Sequence, residues 1–315
     1  MVDYKAKIID ELNIIRKSET VAGEKFKVIA YSKAINGLKD LPKIESIEDI
    51  KDVKGIGEGI RKKIAEIIET GELEANKNRK DDSIVHSLMN IYGVGRVKAL
   101  KLANENNIQS IEDLRNNTHL LNTNQKIGLV HYEDFLERIP RKEMGQHSRF
   151  IKKAIKSLKL NIDMDIVGSY RRGEESSGDI DVLLKSSNPE DCLNVVNKLK
   201  ELNYITDTLA LGDKKFMGVC KIGEDNKYRR LDILYTPEEQ YGYAILYFTG
   251  SMKFNIAVRK KALERGYSLN EHGFTPNDGV PLLKTEEEIL NFLGIKMIDP
   301  KKRKDEKILL KNLLD

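Results

Sequence analysis

Apolar residues recur along the chain at two different periods, and the change of period divides it. Up to Pro140 they fall at helical spacing. Ile8, Leu12 and Ile15 form one such set; Phe26, Ile29, Ala30 and Ala34 form the next; Ile60, Ile64 and Ile67 form a third. Asn36-Gly37, Leu41-Pro42 with Ser46, and Thr70-Gly71 supply stop and start signals between them. Ile111, Leu114, Leu120 and Leu121 continue the helical pattern, and Arg138-Ile139-Pro140-Arg141 closes it. A further helix, Phe150 to Leu158, leads into a region of shorter period.

There Ile162, Met164 and Ile166 alternate with Asp163 and Asp165, as in a half-buried strand. Gly168-Ser169 turns the chain, and Arg171 and Arg172 follow in a short polar segment. Alternation resumes with Ile180 and Val182, which puts Asp179 and Asp181 together on the opposite face. Leu193, Val196 and Leu199 mark a helix; strands are predicted over Phe216–Ile222 and Arg229–Tyr235, joined by the short polar run Gly223–Lys227. From Pro237 the chain passes through Thr249-Gly250-Ser251 into a helix with Phe254, Val258 and Leu263, and ends in a charged helix, Lys304–Leu314. Helices first, then mixed helix and strand, predict an α+β multidomain chain: all-α at the N-terminus, then an α/β layer. The expected divisions are 1–78, 79–140, 141–238 and 239–315, with the charged run Asn76–Asp82 as a hinge.

One turn occurs twice. Val53-Lys54-Gly55-Ile56-Gly57 runs into Ile60, and Ile91-Tyr92-Gly93-Val94-Gly95 runs into Arg96-Val97-Lys98. A Gly-apolar-Gly turn opening a helix is the core of a helix-hairpin-helix. Its glycines let backbone approach a phosphate, and the free N–H groups of the helix start point at it. Two copies, each with Lys or Arg in the first helical turn, favour sequence-independent binding to DNA backbone through Gly55, Gly57, Gly93 and Gly95.

Composition narrows the class without deciding it. The 315 residues are enough for two or three compact units, and 40% apolar content excludes wholesale disorder. A net charge of +4 does not by itself make a nucleic-acid binder. Two cysteines, Cys192 and Cys220, exclude a disulfide framework and point to a reducing compartment. The N-terminus lacks the apolar core of a signal peptide, and no apolar run approaches spanning length. The expectation is a soluble intracellular protein, nuclear in a eukaryotic host, or carried in a viral particle or cytoplasm if viral. The five histidines show no metal-ligand spacing.

Asp179 and Asp181, at i and i+2 on a rigid strand, offer hard oxygen ligands suited to Mg²⁺. The turn before them offers backbone N–H groups, a hydroxyl and the Arg172 fork to a phosphate. A bare Asp-x-Asp is more often a solvated turn, but the whole string Gly168-Ser169-Tyr170-Arg171-Arg172-Gly173…Gly178-Asp179-Ile180-Asp181-Val182 is far harder to assemble by accident. With Lys215-Phe216-Met217-Gly218-Val219-Cys220, Arg229-Arg230-Leu231-Asp232 and Tyr247-Phe248-Thr249-Gly250-Ser251, it resembles the signature of family X DNA polymerases of the beta type, and the similarity spans nearly the whole chain.

The resemblance implies template-directed gap filling in base excision repair, by nucleotidyl transfer to a primer 3′-hydroxyl with two Mg²⁺ ions, for which Mn²⁺ can substitute. It assigns Asp179 and Asp181 to both ions and Asp232 to the catalytic one and to the 3′-hydroxyl proton. Ser169, Arg172 and Gly178 match triphosphate contacts; Tyr247, Phe248 and Gly250 border the sugar; Asn255 and Arg259 match readers of the nascent pair and template. Arg230 would orient Asp232 or the primer, and Lys215 falls in a matched DNA-contacting segment. The hairpin turns would hold a monovalent cation, Na⁺ or K⁺, through carbonyls around Lys51, Val53 and Ile56 and around Met89, Ile91 and Val94.

The resemblance also implies a 5′-deoxyribose-phosphate lyase. Lys63 matches the Schiff-base lysine, Lys27 and Lys51 match holders of the 5′-phosphate, and Tyr31 matches a supporting residue. The chain departs from the pattern at Gly59 and Ala75, where relatives often carry lysine, and at Phe26, which replaces a histidine. It departs again at Leu234, which replaces an arginine, and at Met252 and Ile256, which replace an aspartate and a lysine at the nascent pair; these imply low fidelity. Expected partners are gapped or nicked DNA, deoxynucleoside triphosphates and repair proteins such as a ligase, with the chain itself a monomer off the membrane. The alternatives are a template-independent terminal transferase, which carries a longer loop than Gly223–Lys227, and a non-catalytic hairpin protein, which would not need Asp179, Asp181 and Asp232 together.

Overall fold

The computed structural model describes residues 3–22, 24–77, 82–224, 226–304 and 308. Part of the expected hinge (78–81), Asp225 of the polar run, and nearly all of the expected C-terminal helix lie outside them. The chain forms two compact units, Met1–Leu129 and Val130–Asp315.

In the first unit, helices Lys5–Val21, Lys25–Lys39 and Glu58–Thr70 close around Ile8, Leu12, Ile15, Ile35, Leu38, Ile64 and Ile67, all buried. Asn36-Gly37 does not end the second helix, which runs on to Lys39. Gly37 serves packing instead: a Cβ there would come within 2.6 Å of the Val53 side chain. Both hairpin turns form. Gly55 and Gly93 take positive φ of 92° and 78°, and Gly57 and Gly95, in extended backbone, cap helices beginning at Glu58 and Arg96.

The second unit is built on a five-stranded sheet: β1 (Asp163–Ile166), β2 (Ile180–Lys185), β3 (Ile205–Gly212), β4 (Lys215–Cys220) and β5 (Arg229–Thr236). The order is β1-β2-β5-β4-β3, with β2 and β5 parallel and the other pairs antiparallel. Alternation sorts the side chains. Ile180, Val182, Leu184, Leu231 and Ile233 enter the main core, with Ile151, Ile155, Val195, Val196 and Leu199 from helices Arg141–Ser157 and Asp191–Glu201. The other face carries Asp181 and Asp232 at one end; at the other, Leu183 and Leu234 pack with Val167, Ala244 and Ile245 of helix Tyr241–Thr249. A second core joins Phe254 and Val258 of helix Met252–Glu264 to Leu269, Phe274, Ile289, Leu290 and Leu293.

Three local expectations change. The segment after Gly168 is a short helix, Gly168–Arg171, not an irregular turn. The helix expected from Phe150 starts at Arg141, because Ile139–Pro140 pairs with Ser176–Ser177 and Pro140 caps the helix. Strand β3 was not anticipated: it is an edge strand, mostly exposed, with register shifts at Ile205/Asp207 and Thr208/Ala210 that blur its alternation. Among the described residues no helix is long and apolar enough to cross a membrane.

Candidate active site

The register of the parallel pair creates the site. Asp181 on β2 is the direct partner of Asp232 on β5, and Asp179 precedes β2 on the same face. The Val167 N–H donates to the Asp181 carbonyl at 2.9 Å, tying the end of β1 to this floor. Gly168 follows with φ +57°, and a Cβ there would strike the Asp181 carboxylate. Only glycine brings this turn so close to the acid.

The charges are unbalanced. Burial, then the Asp179 and Asp232 carboxylates, push the Asp181 carboxyl up to about 7. Burial also raises Asp232, opposed by Arg230 and Lys215. Arg230 donates to Asp179 at 2.7 Å. Among the described residues no three acidic, imidazole or thiol groups converge as they stand into a metal cage. The donor set nevertheless suits a hard cation: clustered carboxylate oxygens whose mutual repulsion a divalent ion relieves.

Above the floor is a cleft of about 530 Å³. Ser169, Arg172, Gly178, Asp179, Asp181, Tyr247, Phe248, Gly250, Asn255 and Arg259 line it, so most residues of the expected polymerase set share one cavity. Arg172 donates to the Thr249 carbonyl at 2.7 Å and Ser169 to the Ser177 hydroxyl at 2.9 Å. Tyr247 and Phe248 stand edge to face, and the Gly250–Ser251 peptide is cis. Asn255 donates to the Tyr247 carbonyl at 2.7 Å, and Arg259 to the Leu269 carbonyl at 2.8 Å. Lys215 is not in the cleft wall; it opens β4, opposite Leu234.

Two arginines went unassigned from sequence. Arg138 lines the cleft, held by Ser176 through bonds of 2.7 Å to Oγ and 2.6 Å to the carbonyl. It sits in a run that marks a boundary in the sequence, and only the Ile139–Ser177 pairing brings it to the site. Arg171 is bidentate to the buried Glu286 at 3.0 and 2.6 Å, and also reaches Thr249 at 2.6 Å; the fully buried Arg303 completes the pair on Glu286. This network ties the helix that positions Arg172 to the turn at Gly250.

The remaining candidates belong to the first unit. Lys63 is half-buried on helix Glu58–Thr70, while Lys62 is exposed and pairs with Glu58 at 3.0 Å. Tyr31 is buried, Lys51 exposed, and Lys27 lies 3.4 Å from Glu19. At the first turn Val53 and Ile56 are half-buried, and Arg61 donates to the Lys51 carbonyl at 3.3 Å. At the second, Met89 is half-buried, Ile91 and Val94 are buried, and the Ile91 carbonyl accepts from the Val94 N–H at 3.0 Å.

Family models match four successive stretches: a helix-hairpin-helix domain over 3–73, the fingers domain of DNA polymerase lambda over 86–136, the DNA polymerase beta palm over 138–238, and the DNA polymerase beta thumb over 244–304. The chain belongs to the family X DNA polymerases. Among curated members of the family, it is 30% identical to DNA polymerase lambda of Rattus norvegicus over 96% of its own length and 56% of that protein's. It is 28% identical to DNA polymerase lambda of Arabidopsis thaliana over 89% of its own length and 58% of the relative's. A third, DNA nucleotidylexotransferase of Gallus gallus, is 25% identical over 94% of this chain and 67% of that one. The chain thus spans a little over half the length of the two lambda polymerases. The palm match, 138–238, contains Asp179 and Asp181 of the cleft wall, Asp232 beside Asp181 in the sheet, Arg138 and Arg172.

Proposed function

We propose that this family X chain is a template-directed DNA polymerase that fills short gaps during DNA repair, with a 5′-deoxyribose-phosphate lyase in its N-terminal unit. The observation that carries the polymerase reading is the Asp181–Asp232 register on parallel strands, with Asp179 beside it, under a cleft walled by arginine and glycine. Asp179, Asp181 and Asp232 would hold divalent magnesium, whose Lewis acidity stabilises charge on the transferred phosphoryl oxygens. Arg172 and Arg138, with Ser169 and the backbone at Gly178, face the triphosphate and offset its charge. Burial keeps Asp232 basic enough to accept the primer 3′-hydroxyl proton. Tyr247, Phe248 and Gly250 crowd the sugar, where a 2′-hydroxyl would not fit. The in-line displacement gives a 3′–5′ phosphodiester and free pyrophosphate.

In the same reading the four parts expected from sequence act as lyase domain, DNA-binding fingers, palm and nucleotide-selecting thumb. The hairpin turns grip duplex backbone on either side of a gap, with a monovalent cation held by their carbonyls. Lys63 attacks the sugar aldehyde, and the protein works as a monomer handing nicked DNA to a ligase. The lyase reading is supported by the half-buried setting of Lys63 beside the solvated, ion-paired Lys62. Untemplated terminal addition is the competing activity, suggested by the Gallus gallus relative. The short connection between β4, ending at Cys220, and β5, starting at Arg229, favours templated synthesis. A one-nucleotide gap bearing a 5′-deoxyribose phosphate tests both activities: templated extension and borohydride trapping are expected. Extension indifferent to the template base would overturn the first, and absence of trapping the second.

A further inference from the structure

The five-stranded sheet has two open edges, and they differ. β3 is interrupted by register shifts at Ile205/Asp207 and Thr208/Ala210, irregularities of the kind that keep an edge from pairing with another chain. β1 runs in unbroken register against β2 from Asp163 to Ile166. The Val167 N–H bonds to the Asp181 carbonyl, so by the alternation of an antiparallel ladder Asp163 and Asp165 turn their backbone groups toward β2. Met164 and Ile166 turn theirs to the open edge.

Beside that edge is a groove of about 490 Å³ that shares no lining residue with the cleft. Its apolar lining is Ile155, Leu160, Ile162 and Met164, with Leu160 42% exposed. Its charged residues are Lys152 and Lys156 near the end of helix Arg141–Ser157, Lys159 just beyond it, and Asp163. Asp163 is already paired with Lys185 at 2.8 Å. The three groove lysines are exposed, and among the described residues none is in an ion pair. An aliphatic patch bordered by uncompensated cations thus adjoins backbone donors and acceptors that have no partner strand.

We propose that this edge docks an extended acidic segment of a partner protein, which adds a strand to the sheet beside β1. The outward N–H and C=O groups of Met164 and Ile166 bond to the added backbone. Four residues of ladder give few such bonds, so side chains must supply the rest of the affinity. Alternate side chains of an added strand fall on the groove side. Aliphatic ones there cover Leu160, Ile162 and Met164, and acidic ones flanking them meet Lys152, Lys156 and Lys159. A nucleic-acid strand would meet the same charges, but it has no ladder to offer and leaves the aliphatic patch uncovered. The proposal stands apart from the polymerase reading, since no cleft residue enters it.

Fluorescence anisotropy with the purified chain tests it, using a fluorescein-labelled peptide that has valines at alternating central positions and glutamate elsewhere. Saturable binding is expected. The same peptide with N-methyl groups on its ladder-forming amides keeps its charge and is expected to bind about tenfold more weakly; this arm leaves the protein untouched. Lys152→Glu combined with Lys156→Glu is expected to weaken the parent peptide about tenfold as well, with affinity for gapped DNA unchanged. Absence of binding, or binding indifferent to either change, would overturn the proposal. A comparable loss of gapped-DNA affinity in the double variant would make this face a nucleic-acid contact and overturn it too.

Discussion

Asp181 and Asp232 face each other because two parallel strands are in register, and each is fixed by the backbone of a buried sheet. Lys27, Lys51 and Lys63 come from two helices and a turn, and Lys27 lies 3.4 Å from Glu19. The first arrangement crowds like charges, and burial drives Asp181 up to about 7. The second leaves cations at or near the surface, where solvent screens them and side chains rotate freely. A site set by register tolerates little change, whereas one built from flexible lysines can substitute one amine for another. Mutagenesis can break this contrast.

The largest effect is expected for Asp232→Asn. On the proposed mechanism it removes a proton acceptor and a cation ligand together, so gap filling should fall by at least about a thousandfold. Affinity for gapped DNA should stay within a few-fold, since the proposed grip on the duplex lies in the hairpin turns and not at Asp232. Appreciable steady extension by the purified variant would remove Asp232 from its role. For Lys63→Ala the expected loss of borohydride trapping is about a hundredfold, with extension on a simple gap preserved, because the carboxylates belong to the other compact unit. Trapping at the wild-type rate would mean that another amine, Lys62 or Lys27, forms the Schiff base. That outcome would make the N-terminal site as interchangeable as its surface setting allows.

This contrast also governs what could be read from sequence. Alternation around Asp179, Asp181 and Asp232 was legible because period two fixes which face each residue takes, and Ile180, Val182, Leu231 and Ile233 announce the buried side. Arg138 was not legible, since its place depends on Ile139 pairing with Ser177 many residues away. Neither was the Arg171–Glu286–Arg303 network, which joins three distant segments with no local pattern. Gly37 misled for a related reason: it resembles a helix stop, but its cause is the Val53 side chain against it.

Acid should also act on the second unit through a residue outside the cleft. His147, in the palm core, donates to or accepts from the Tyr204 hydroxyl at 2.7 Å, and burial lowers its pKa from 6.5 to about 4. The unfolded imidazole binds a proton below its ordinary value, and the folded one resists until about 4. Stability from the neutral ring is thus complete above pH 6.5 and is lost as the pH falls toward 4, by up to about 3 kcal/mol. Asp181, raised to about 7, contributes the opposite slope over this range to wild type and variant alike, so the His147 contribution is read as a difference: the stability of wild type relative to His147→Gln, by urea unfolding, should fall between pH 7 and 4. An equal slope in the variant would assign the acid sensitivity elsewhere.

The smallest expected effect concerns selectivity. Leu234 lies two residues beyond Asp232 on the same strand face, where family members of the beta type carry an arginine that pairs with the residue matching Asp181. In this chain Leu234 packs instead against the cluster of Val167, Leu183, Ala244 and Ile245. Asp181 is thus left with the more remote influence of Arg230 and Arg172, and nothing at position 234 holds its carboxylate back. A brake of that kind would slow closure around wrong and right nucleotides alike, but only a correct pair supplies enough binding energy to release it. Without it, wrong nucleotides should be inserted comparatively fast. Leu234→Arg is expected to cost about 1–2 kcal/mol of stability from lost apolar contact. It should also raise discrimination by several-fold, equivalent to roughly 1 kcal/mol, through slower insertion of mismatches. Single-turnover kpol/Kd for matched and mismatched nucleotides would measure it. Unchanged ratios in a folded variant would show that position 234 packs the sheet against helix Tyr241–Thr249 and does not gate the carboxylates.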